Sequence, residues 1–288
     1  MTFKEFYSSG SHRYSFEVFP PKNQEGVISL FQNLKELSSL NPAFISCTYG
    51  AMGSTQEMTR ELTIRIKREF NVPTAFHFTC VGSDRQTIRT YVEGMKREGI
   101  DHIVALRGDP PQGETAFKQP ADGFSHASDL VAFLKEIGGL YVAVAGYPEG
   151  HVEASDLMTD IENLKRKVVA GADVVITQLF FDNRFYFDFV DRARKIGITV
   201  PIIPGIMPIL NLKQSQKITG LCGATLPKKL HEDLLKHQDD PEAIRKMSAD
   251  HTTTQCQSLI AQAVPGIHFY ILNRAESVLE IIKKIPQK

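Results

Sequence analysis

The stretch His102-Ile-Val-Ala-Leu-Arg-Gly-Asp-Pro-Pro111 decides the fold class of this sequence. Its apolar run ends in a cation, a glycine and a carboxylate, and the proline pair prevents the strand from continuing. Gly108 allows a sharp turn or a close approach of the backbone to a ligand. Loops at the carboxyl ends of parallel strands carry the chemistry of many α/β proteins. The stretch therefore predicts a buried strand that ends in candidate functional groups, although Arg107 and Asp109 could equally form a solvated ion pair.

Similar apolar, β-branched runs recur at regular intervals along the chain. They are short and nearly continuous, which is typical of strands that are buried on both faces. The eight predicted strands are residues 14–19, 44–49, 74–80, 102–106, 141–145, 174–180, 201–206 and 267–272.

Amphipathic segments with helix-start and helix-end signals lie between these runs. Ser54-Thr-Gln-Glu57 and Ser83-Asp-Arg-Gln86 read as capping boxes before helices at residues 58–70 and 87–98. Gly99 is placed to end the second of these helices, and Gly171 and Gly197 are placed to end later ones.

Eight strands that alternate with helices in 288 residues predict a single-domain (β/α)8 TIM barrel spanning residues 1–288. The alternative is a doubly wound open sheet, which would show a glycine-rich turn after its first strand. Here that strand is followed by Pro20-Pro21-Lys22, and no G-x-G-x-x-G pattern occurs. Residues 208–266 separate the last two predicted strands and must hold extra helices.

The composition limits the classes of partner. Lysine plus arginine and aspartate plus glutamate both number 33, so the net charge gives no general attraction to nucleic acid or to anionic membranes. The amino terminus lacks the apolar core of a signal peptide, and no apolar run is long enough to span a bilayer. The four cysteines form no C-x-x-C pair. We therefore expect a cytoplasmic protein with reduced thiols.

Glu17 is the first candidate catalytic residue. It is flanked by Phe16, Val18 and Phe19, and a carboxylate on such a strand is costly unless it is paired or functional. Desolvation would raise the pKa of Glu17 and suit it to donating a proton near neutral pH. The alternative is a structural ion pair inside the barrel. Other polar or small residues at the predicted strand ends are Thr48, Tyr49, Ala51, His77, Thr79, Arg107, Asp109, Tyr147, His151, Thr177, Gln178, Asn273 and Arg274.

The sequence lacks other familiar catalytic patterns. His77 has no H-x-H or H-x-x-E companion, so no metal site is expected. Neither a G-x-S-x-G elbow nor a lysine placed for a Schiff base is present at a strand end.

A polar stripe follows the fifth predicted strand. Asp160, Asn163 and Lys167 are spaced to share one face of a helix, with Arg166 beside them. A carboxylate, an amide and two cations could bind a ribose and a diphosphate. Taken alone, the stripe fits an ordinary solvated helix face better than a binding site.

Several ordered motifs together resemble those of the bacterial 5,10-methylenetetrahydrofolate reductase family, from Ser15 to about Glu276. The matching stretches are Ser15-Phe-Glu-Val-Phe-Pro-Pro21, Ser46-Cys-Thr-Tyr-Gly50, His77-Phe-Thr-Cys80, Ala105-Leu-Arg-Gly-Asp109, Ala145-Gly-Tyr-Pro-Glu149, Asn163-Leu-Lys-Arg-Lys167, Ile176-Thr-Gln178, Pro204-Gly-Ile206 and Leu272-Asn-Arg-Ala-Glu276.

The resemblance implies a (β/α)8 barrel that carries non-covalent FAD on its carboxyl-terminal face. It implies Glu17 as the proton donor, with Asp109 and Gln178 as the pterin-binding pair. Gln214 and Arg274 match further folate contacts, and Thr48 and Gln178 match NADH contacts. The implied FAD contacts are Tyr49, Ala51, His77, Arg107, Gly108, Asp109, Ala127, Tyr147, His151, Ala154, Asp160, Asn163, Arg166 and Lys167. Ile218 departs from the family pattern, because better-studied members have an aromatic ring there.

The implied reaction is the reduction of 5,10-methylenetetrahydrofolate to 5-methyltetrahydrofolate, with NADH or NADPH as reductant and FAD as hydride carrier in a ping-pong cycle. The expected partners are these small molecules and a homo-oligomer of the chain, without nucleic acid or membrane. Two alternatives have different chemistry. One is a folate-binding methyl-carrier barrel without redox chemistry, which would have no use for Asp160, Arg166 and Lys167. The other is an aldolase-like lyase with Glu17 as base.

Overall fold

The computed structural model describes residues 1–7, 13–49, 54–108, 119 and 121–286. Within them, eight parallel strands form a closed barrel in chain order. The strands are β1 Arg13–Val18, β2 Ile45–Cys47, β3 Thr74–Thr79, β4 His102–Leu106, β5 Tyr141–Gly146, β6 Val174–Leu179, β7 Ile202–Ile206 and β8 Gly266–Tyr270. The helices are α1 Phe3–Phe6, α2 Gln24–Ser38, α3 Ser54–Phe70, α4 Arg85–Arg97, α5 Ala127–Ile137, α6 Leu157–Val169, α7 Asn183–Lys195, α8 Leu212–Cys222, α9 Lys228–Lys236, α10 Pro241–Ala261 and α11 Glu276–Lys284.

Closure of the barrel confirms the predicted (β/α)8 fold and excludes the open sheet. The decisive contact joins the ends of the chain, because β1 pairs with β8 and places Glu17 opposite Tyr270. All eight predicted strands are present, and β4 has the predicted bounds. The segment between β7 and β8 holds α8, α9 and α10, as predicted.

Two helix starts differ from their prediction by a few residues. The side chain of Asp84, not Ser83, accepts the N–H of Thr87 and caps α4. Asp and Ser cap equally well, so the motif alone could not choose between adjacent candidates. Helix α3 begins at Ser54, which therefore lies inside the first turn and not at the cap before it. The glycines predicted to follow α4, α6 and α7 have positive φ values of 69°, 117° and 80°, as the left-handed end of a helix requires.

Apolar side chains between the strands and the surrounding helices form the larger core. A second cluster fills the amino-terminal half of the barrel interior, where Phe3, Phe6 and Tyr7 pack against Phe44. These aromatic residues close the amino-terminal end of the barrel, and we call them the aromatic plug. The carboxyl-terminal half of the interior holds the candidate site, where Glu17, His77 and Gln178 lie among apolar residues.

Three further observations concern disulfides, membrane-spanning helices and metal sites. All four cysteines are unpaired. Among the helices of the described ranges, none combines the length and apolar character needed to cross a lipid bilayer. Within the same ranges, no three His, Cys, Asp or Glu side chains are arranged to hold a metal ion.

Candidate active site

A cavity of about 480 Å³ opens at the carboxyl-terminal end of the barrel. The strands supply its polar residues, and α8 supplies an apolar margin of Ile218 and Leu221. Leu221 is 69% exposed, so this margin is open to a ligand. The lining residues from the predicted site are Glu17, Thr48, Tyr49, His77, Arg107, Gly108, Tyr147, His151 and Gln178.

Glu17 lies on this cavity between two histidines from other strands. Its Oε2 is 3.3 Å from His77 Nε2 and 3.4 Å from His268 Nε2. His268 has hydrogen-bond geometry toward the carboxylate, whereas His77 Nε2 is within ion-pair distance but lacks a hydrogen-bond partner among the described groups. The Glu17 side chain keeps 19% of its surface exposed, while both imidazoles are buried.

The prediction that Glu17 has a raised pKa is wrong. Burial raises the pKa of Glu17, but the electrostatic interactions with His77 and His268 and the hydrogen bond from His268 outweigh that effect, and the net pKa is about 2. Glu17 is therefore a carboxylate at neutral pH. The ionised acid therefore lies between two imidazole rings.

Two hydroxyl groups continue from His268 toward the aromatic plug. His268 Nδ1 lies 2.8 Å from Ser15 Oγ, and Ser15 Oγ lies 3.0 Å from the Tyr7 hydroxyl. Ser15 and His268 are completely buried, and Tyr7 retains 8% exposure. Since both imidazole nitrogens face polar groups, the ring orientation of His268 is fixed.

A second cavity of about 300 Å³ lies beside the first, between β4, β5, α5 and α6. Leu106, Arg107, Ala145, Tyr147 and His151 line both cavities. We call the second cavity the side groove. It collects the predicted polar stripe and its neighbours: Ala127, Ala154, Asp160, Asn163, Arg166 and Lys167.

Lys167 is a half-buried cation of the side groove. Its ammonium donates a hydrogen bond to the Ala145 carbonyl at 2.6 Å and lies 5.7 Å from the centre of the Tyr147 ring. Burial lowers the pKa of Lys167 to about 8, partly offset by the charge of Asp160. Burial likewise raises the pKa of Asp160, and Lys167 opposes that shift. The two groups therefore stabilise each other's charged forms.

Arg107 crosses the boundary between the two cavities. Its guanidinium makes a bidentate pair with Glu153, at 2.5 Å and 2.7 Å. Hydrogen bonding from Arg107 holds the pKa of Glu153 below its usual range. His151 accepts the backbone N–H of Glu153 at Nδ1, and burial, assisted by the charge of Arg107, lowers the pKa of His151. A neutral His151 is thus favoured at this boundary.

Gln178 lines the first cavity, which we call the central cavity. Its side-chain carbonyl accepts the backbone N–H of Leu179 at 2.8 Å, which fixes the orientation of the amide. The strand is irregular here, because the register of β6 against β7 shifts between Ile176 and Leu179. A fixed NH₂ donor is suited to binding a carbonyl oxygen of a ligand.

Four predicted site residues lie elsewhere. Ala51 and Asp109 lie outside the described residues, so the proposed pterin carboxylate is a prediction from sequence alone. Gln214 is half-buried at the first turn of α8, and Arg274 is exposed after β8; neither lines the two cavities. Asn273 has a structural role, since its amide exchanges hydrogen bonds with the backbone N–H and C=O of Phe19.

Sequence reasoning missed His268, Tyr270 and Glu153. His268 and Tyr270 lie on the last strand, on the side that faces Glu17, and the alternation of side chains along that strand could have revealed them. Tyr270 donates to the Thr177 carbonyl at 2.7 Å and joins β8 to β6. Glu153 carries no comparable signal, because only the folded loop brings it to Arg107.

Proteins with assigned names are similar to this chain in sequence. A family model described as methylenetetrahydrofolate reductase matches residues 2–286. The chain is 39% identical, over 93% of its length, to 5,10-methylenetetrahydrofolate reductase of Escherichia coli (strain K12), and covers 88% of that protein. It is 38% identical, over 98% of its length, to methylenetetrahydrofolate reductase (NADH) 1 of Arabidopsis thaliana. The chain spans about half the length of the plant relatives, with 50% of the Arabidopsis thaliana protein covered.

A solved structure supports the fold independently. An uncharacterised protein from Clostridium thermocellum, described as binding two copies of 5-methyl-5,6,7,8-tetrahydrofolic acid, superposes with a TM-score of 0.66. The match covers 99% of this chain and 97% of that one at 16% identity, so it establishes similarity of fold alone. The family model and the Escherichia coli relative carry the assignment: this chain belongs to the methylenetetrahydrofolate reductase family.

Proposed function

We propose that the chain reduces 5,10-methylenetetrahydrofolate to 5-methyltetrahydrofolate, with non-covalent FAD and with NADH or NADPH as reductant. Family membership supports this reaction class. The observation that carries the proposal is the position of Glu17, an ionised carboxylate between two imidazoles on a cavity that adjoins a cationic groove.

The side groove has the chemistry that FAD requires. Arg166 and Lys167 supply positive charge for a diphosphate, and Asp160 and Asn163 supply acceptor and amide groups for sugar hydroxyls. Lys167 supports the fit in particular, because a nearby anion would stabilise the charged form of a half-buried ammonium whose pKa is lowered to about 8. FAD bound here would take a hydride from the nicotinamide nucleotide and deliver it to the folate. The fit disfavours the folate-carrier alternative, which has no use for these cations.

The protein's own task is proton delivery. The five-membered ring of the substrate must open before its methylene carbon can accept hydride, and ring opening requires a proton at N10. With a pKa of about 2, Glu17 does not store that proton by itself. We propose that an imidazolium of the pair His77 and His268 holds the proton, and that Glu17 passes it to N10. Glu17 would accept the proton from the imidazolium, which becomes a neutral imidazole. As the transient carboxylic acid, Glu17 would then donate the proton to N10 and return to the carboxylate.

Other residues of the central cavity would bind and orient the substrates. The fixed NH₂ of Gln178 can donate to a pterin or nicotinamide carbonyl. Thr48 lines the same cavity and is the second proposed nucleotide contact. Ile218 offers apolar contact without an aromatic ring. Asp109, Gln214 and Arg274 complete the proposed folate contacts. We further propose a cytoplasmic homo-oligomer in which residues 1–288 form one FAD- and folate-binding domain.

Purification and anaerobic mixing test the proposal. The isolated protein is expected to show a flavin absorbance spectrum, which NADH or NADPH bleaches. Addition of methylenetetrahydrofolate is then expected to restore the absorbance and to yield 5-methyltetrahydrofolate by chromatography. Parallel rates with the two nucleotides identify the preferred reductant. A colourless protein that binds folate without changing it would instead establish the carrier alternative.

A further inference from the structure

A row of buried hydrogen-bonding groups connects the aromatic plug with Glu17. It runs from the Tyr7 hydroxyl to Ser15 Oγ at 3.0 Å, then to His268 Nδ1 at 2.8 Å. His268 Nε2 lies 3.4 Å from Glu17 Oε2. We propose that Tyr7 is a positioning residue that lets His268 gain and lose a proton. Only the catalytic use of this row rests on the proposed function.

When His268 is neutral, Glu17 decides which nitrogen carries the hydrogen. The carboxylate accepts a hydrogen bond only from a protonated Nε2, because an unprotonated nitrogen would turn its lone pair toward the negative charge. Nδ1 is then an acceptor and receives the Ser15 hydroxyl proton. The Ser15 oxygen in turn accepts from Tyr7. All hydrogens in the row point toward Glu17.

When His268 is an imidazolium, the outer hydrogen bonds must reverse. Both ring nitrogens then donate, so Nδ1 donates to Ser15 Oγ. The Ser15 hydroxyl needs another acceptor, and the Tyr7 oxygen provides it at 3.0 Å. The Tyr7 hydrogen then turns away from Ser15, so the displaced hydrogen moves from the completely buried Ser15 to Tyr7, which retains 8% exposure. Without the Tyr7 oxygen, the displaced hydrogen would stay unpaired on the completely buried Ser15 hydroxyl, which is costly. Tyr7 thus stabilises the protonated ring in particular.

Packing holds the Tyr7 phenol in place and keeps it neutral. Tyr7 directly follows α1, whose Phe3 and Phe6 pack on Phe44. The Phe44 ring stacks on the His268 ring, with centroids 5.7 Å apart and 25° between the planes. Burial raises the pKa of Tyr7 far above its usual range, so the phenol can both donate and accept. A phenylalanine would fill the same space without the oxygen.

The charged and titratable groups around His268 are few within the described residues. Glu17 from β1 and Tyr270 from β8 face the ring directly, the latter with its ring centroid 5.3 Å away. His77 from β3 acts on it through Glu17. Tyr7 acts through Ser15. Substitution of Tyr7 changes none of the charges in this set.

Histidine-selective ¹⁵N NMR of the apoprotein tests the inference directly. Loss of the corresponding signals in His268→Asn assigns the ring, and the pH midpoint of its protonation is then compared between wild type and Tyr7→Phe. We expect the midpoint of the variant to move to lower pH by about half a unit to one unit. Phe6→Leu is the matched control, since it alters the packing of the aromatic plug but lies outside the row, and it is expected to leave the midpoint in place.

A double-mutant cycle separates the row from general packing. In a Ser15→Ala background the link to His268 is absent, so Tyr7→Phe is expected to cause no further shift. An unshifted midpoint in Tyr7→Phe alone would overturn the inference. A shift of the same size in the Ser15→Ala background would also overturn it, because Tyr7 would then act by another route.

Kinetics distinguish this inference from the proposed function on which its catalytic part rests. With flavin bound, Tyr7→Phe is expected to slow flavin reoxidation by methylenetetrahydrofolate about threefold to tenfold and to leave reduction by NADH unchanged. A shifted NMR midpoint with unchanged reoxidation would support the row and refute its role in catalysis. A protein without any folate-dependent reoxidation would refute the proposed function, while the NMR result would still decide the hydrogen-bond row.

Discussion

Glu153 holds the guanidinium of Arg107 through two hydrogen bonds at the boundary between the central cavity and the side groove. The Glu153 side chain is 51% exposed, so the pair contributes little to folding stability. The location of the pair matters more, because an anionic cofactor in the side groove would compete with the Glu153 carboxylate for the Arg107 guanidinium.

Glu153→Gln is therefore expected to tighten FAD binding. The substitution removes a negative charge and weakens the competition for Arg107, and we expect the FAD dissociation constant to fall about threefold to tenfold. Fluorescence titration of apoprotein measures the constant. Glu162→Gln is the matched control, since Glu162 is an exposed acid of α6 outside the side groove. Weaker binding in Glu153→Gln would show that the carboxylate orients Arg107 for the cofactor.

Lys167→Ala is expected to weaken FAD binding about tenfold to a hundredfold, the usual contribution of one charge-assisted hydrogen bond. Lys165→Ala is the control on the same helix, because Lys165 donates to the Ile196 and Gly197 carbonyls, away from the side groove. Isothermal titration of both apoproteins makes the comparison. Equal affinity in Lys167→Ala and wild type would remove Lys167 from the cofactor site.

The lowered pKa of Lys167 also predicts a pH dependence. Its folded value of about 8 is below the unfolded value of about 10.4, so the unfolded chain binds more protons between these limits. Through Lys167, folding stability of the apoprotein should rise with pH across this window. FAD affinity should fall as pH rises above about 8, since the diphosphate binds the ammonium form. Denaturant titrations and FAD titrations at neutral and alkaline pH measure the two trends. Lys167→Ala should abolish the part of each pH dependence that Lys167 contributes.

The sequence predicted where functional groups lie better than it predicted their ionisation. Continuous apolar runs identify buried strands, and Glu17 is conspicuous within such a run. The sign of its pKa shift depends on His77 and His268, which reach it from β3 and β8. His268 is 251 residues away along the chain, and only barrel closure brings it within 3.4 Å of the carboxylate. The apolar neighbours of Glu17 in the sequence predict the burial that raises its pKa. They do not predict the distant histidines that lower it.

The side groove illustrates the same limit. The spacing of Asp160, Asn163 and Lys167 placed them on one helix face, yet spacing alone could not distinguish a binding site from a solvated surface. The fold makes the difference, because it brings the half-buried Lys167 ammonium into a hydrogen bond with the Ala145 carbonyl beside a cavity. Glu153 could not be predicted, since its contact with Arg107 depends on the path of a loop.

Ile218→Phe tests the departure from the family's aromatic residue. Ile218 lines the central cavity on α8 beside Leu221. A ring at this position adds about 0.5–1.5 kcal/mol of aromatic packing against a pterin or nicotinamide. We therefore expect the folate dissociation constant of the oxidised protein to fall about twofold to tenfold. Ile218→Leu keeps the size without the ring and should leave the constant unchanged. Weaker folate binding in Ile218→Phe would mean that the cavity is already filled by its aliphatic margin.

Glu17→Gln provides the sharpest test of the proposed function, because the two half-reactions need different help. Hydride transfer from NADH requires no protein acid at the donor carbon, whereas folate reduction requires a proton at N10. Glutamine keeps the size and a carbonyl acceptor but cannot relay a proton. We expect nearly normal flavin reduction by NADH. Reoxidation by methylenetetrahydrofolate should slow by a factor of about 10²–10⁴, the usual contribution of a general acid.

Stopped-flow absorbance measures each half-reaction separately, and the ratio of the two rates is the decisive quantity. Loss of the carboxylate also removes the negative charge between His77 and His268, so some loosening of the cavity is expected in the variant. Such loosening would act on both half-reactions, because NADH and folate use the same cavity. A loss confined to the folate step therefore reports proton delivery. Equal slowing of both steps would identify Glu17 as a structural ion-pair residue, with His77 and His268 as its partners.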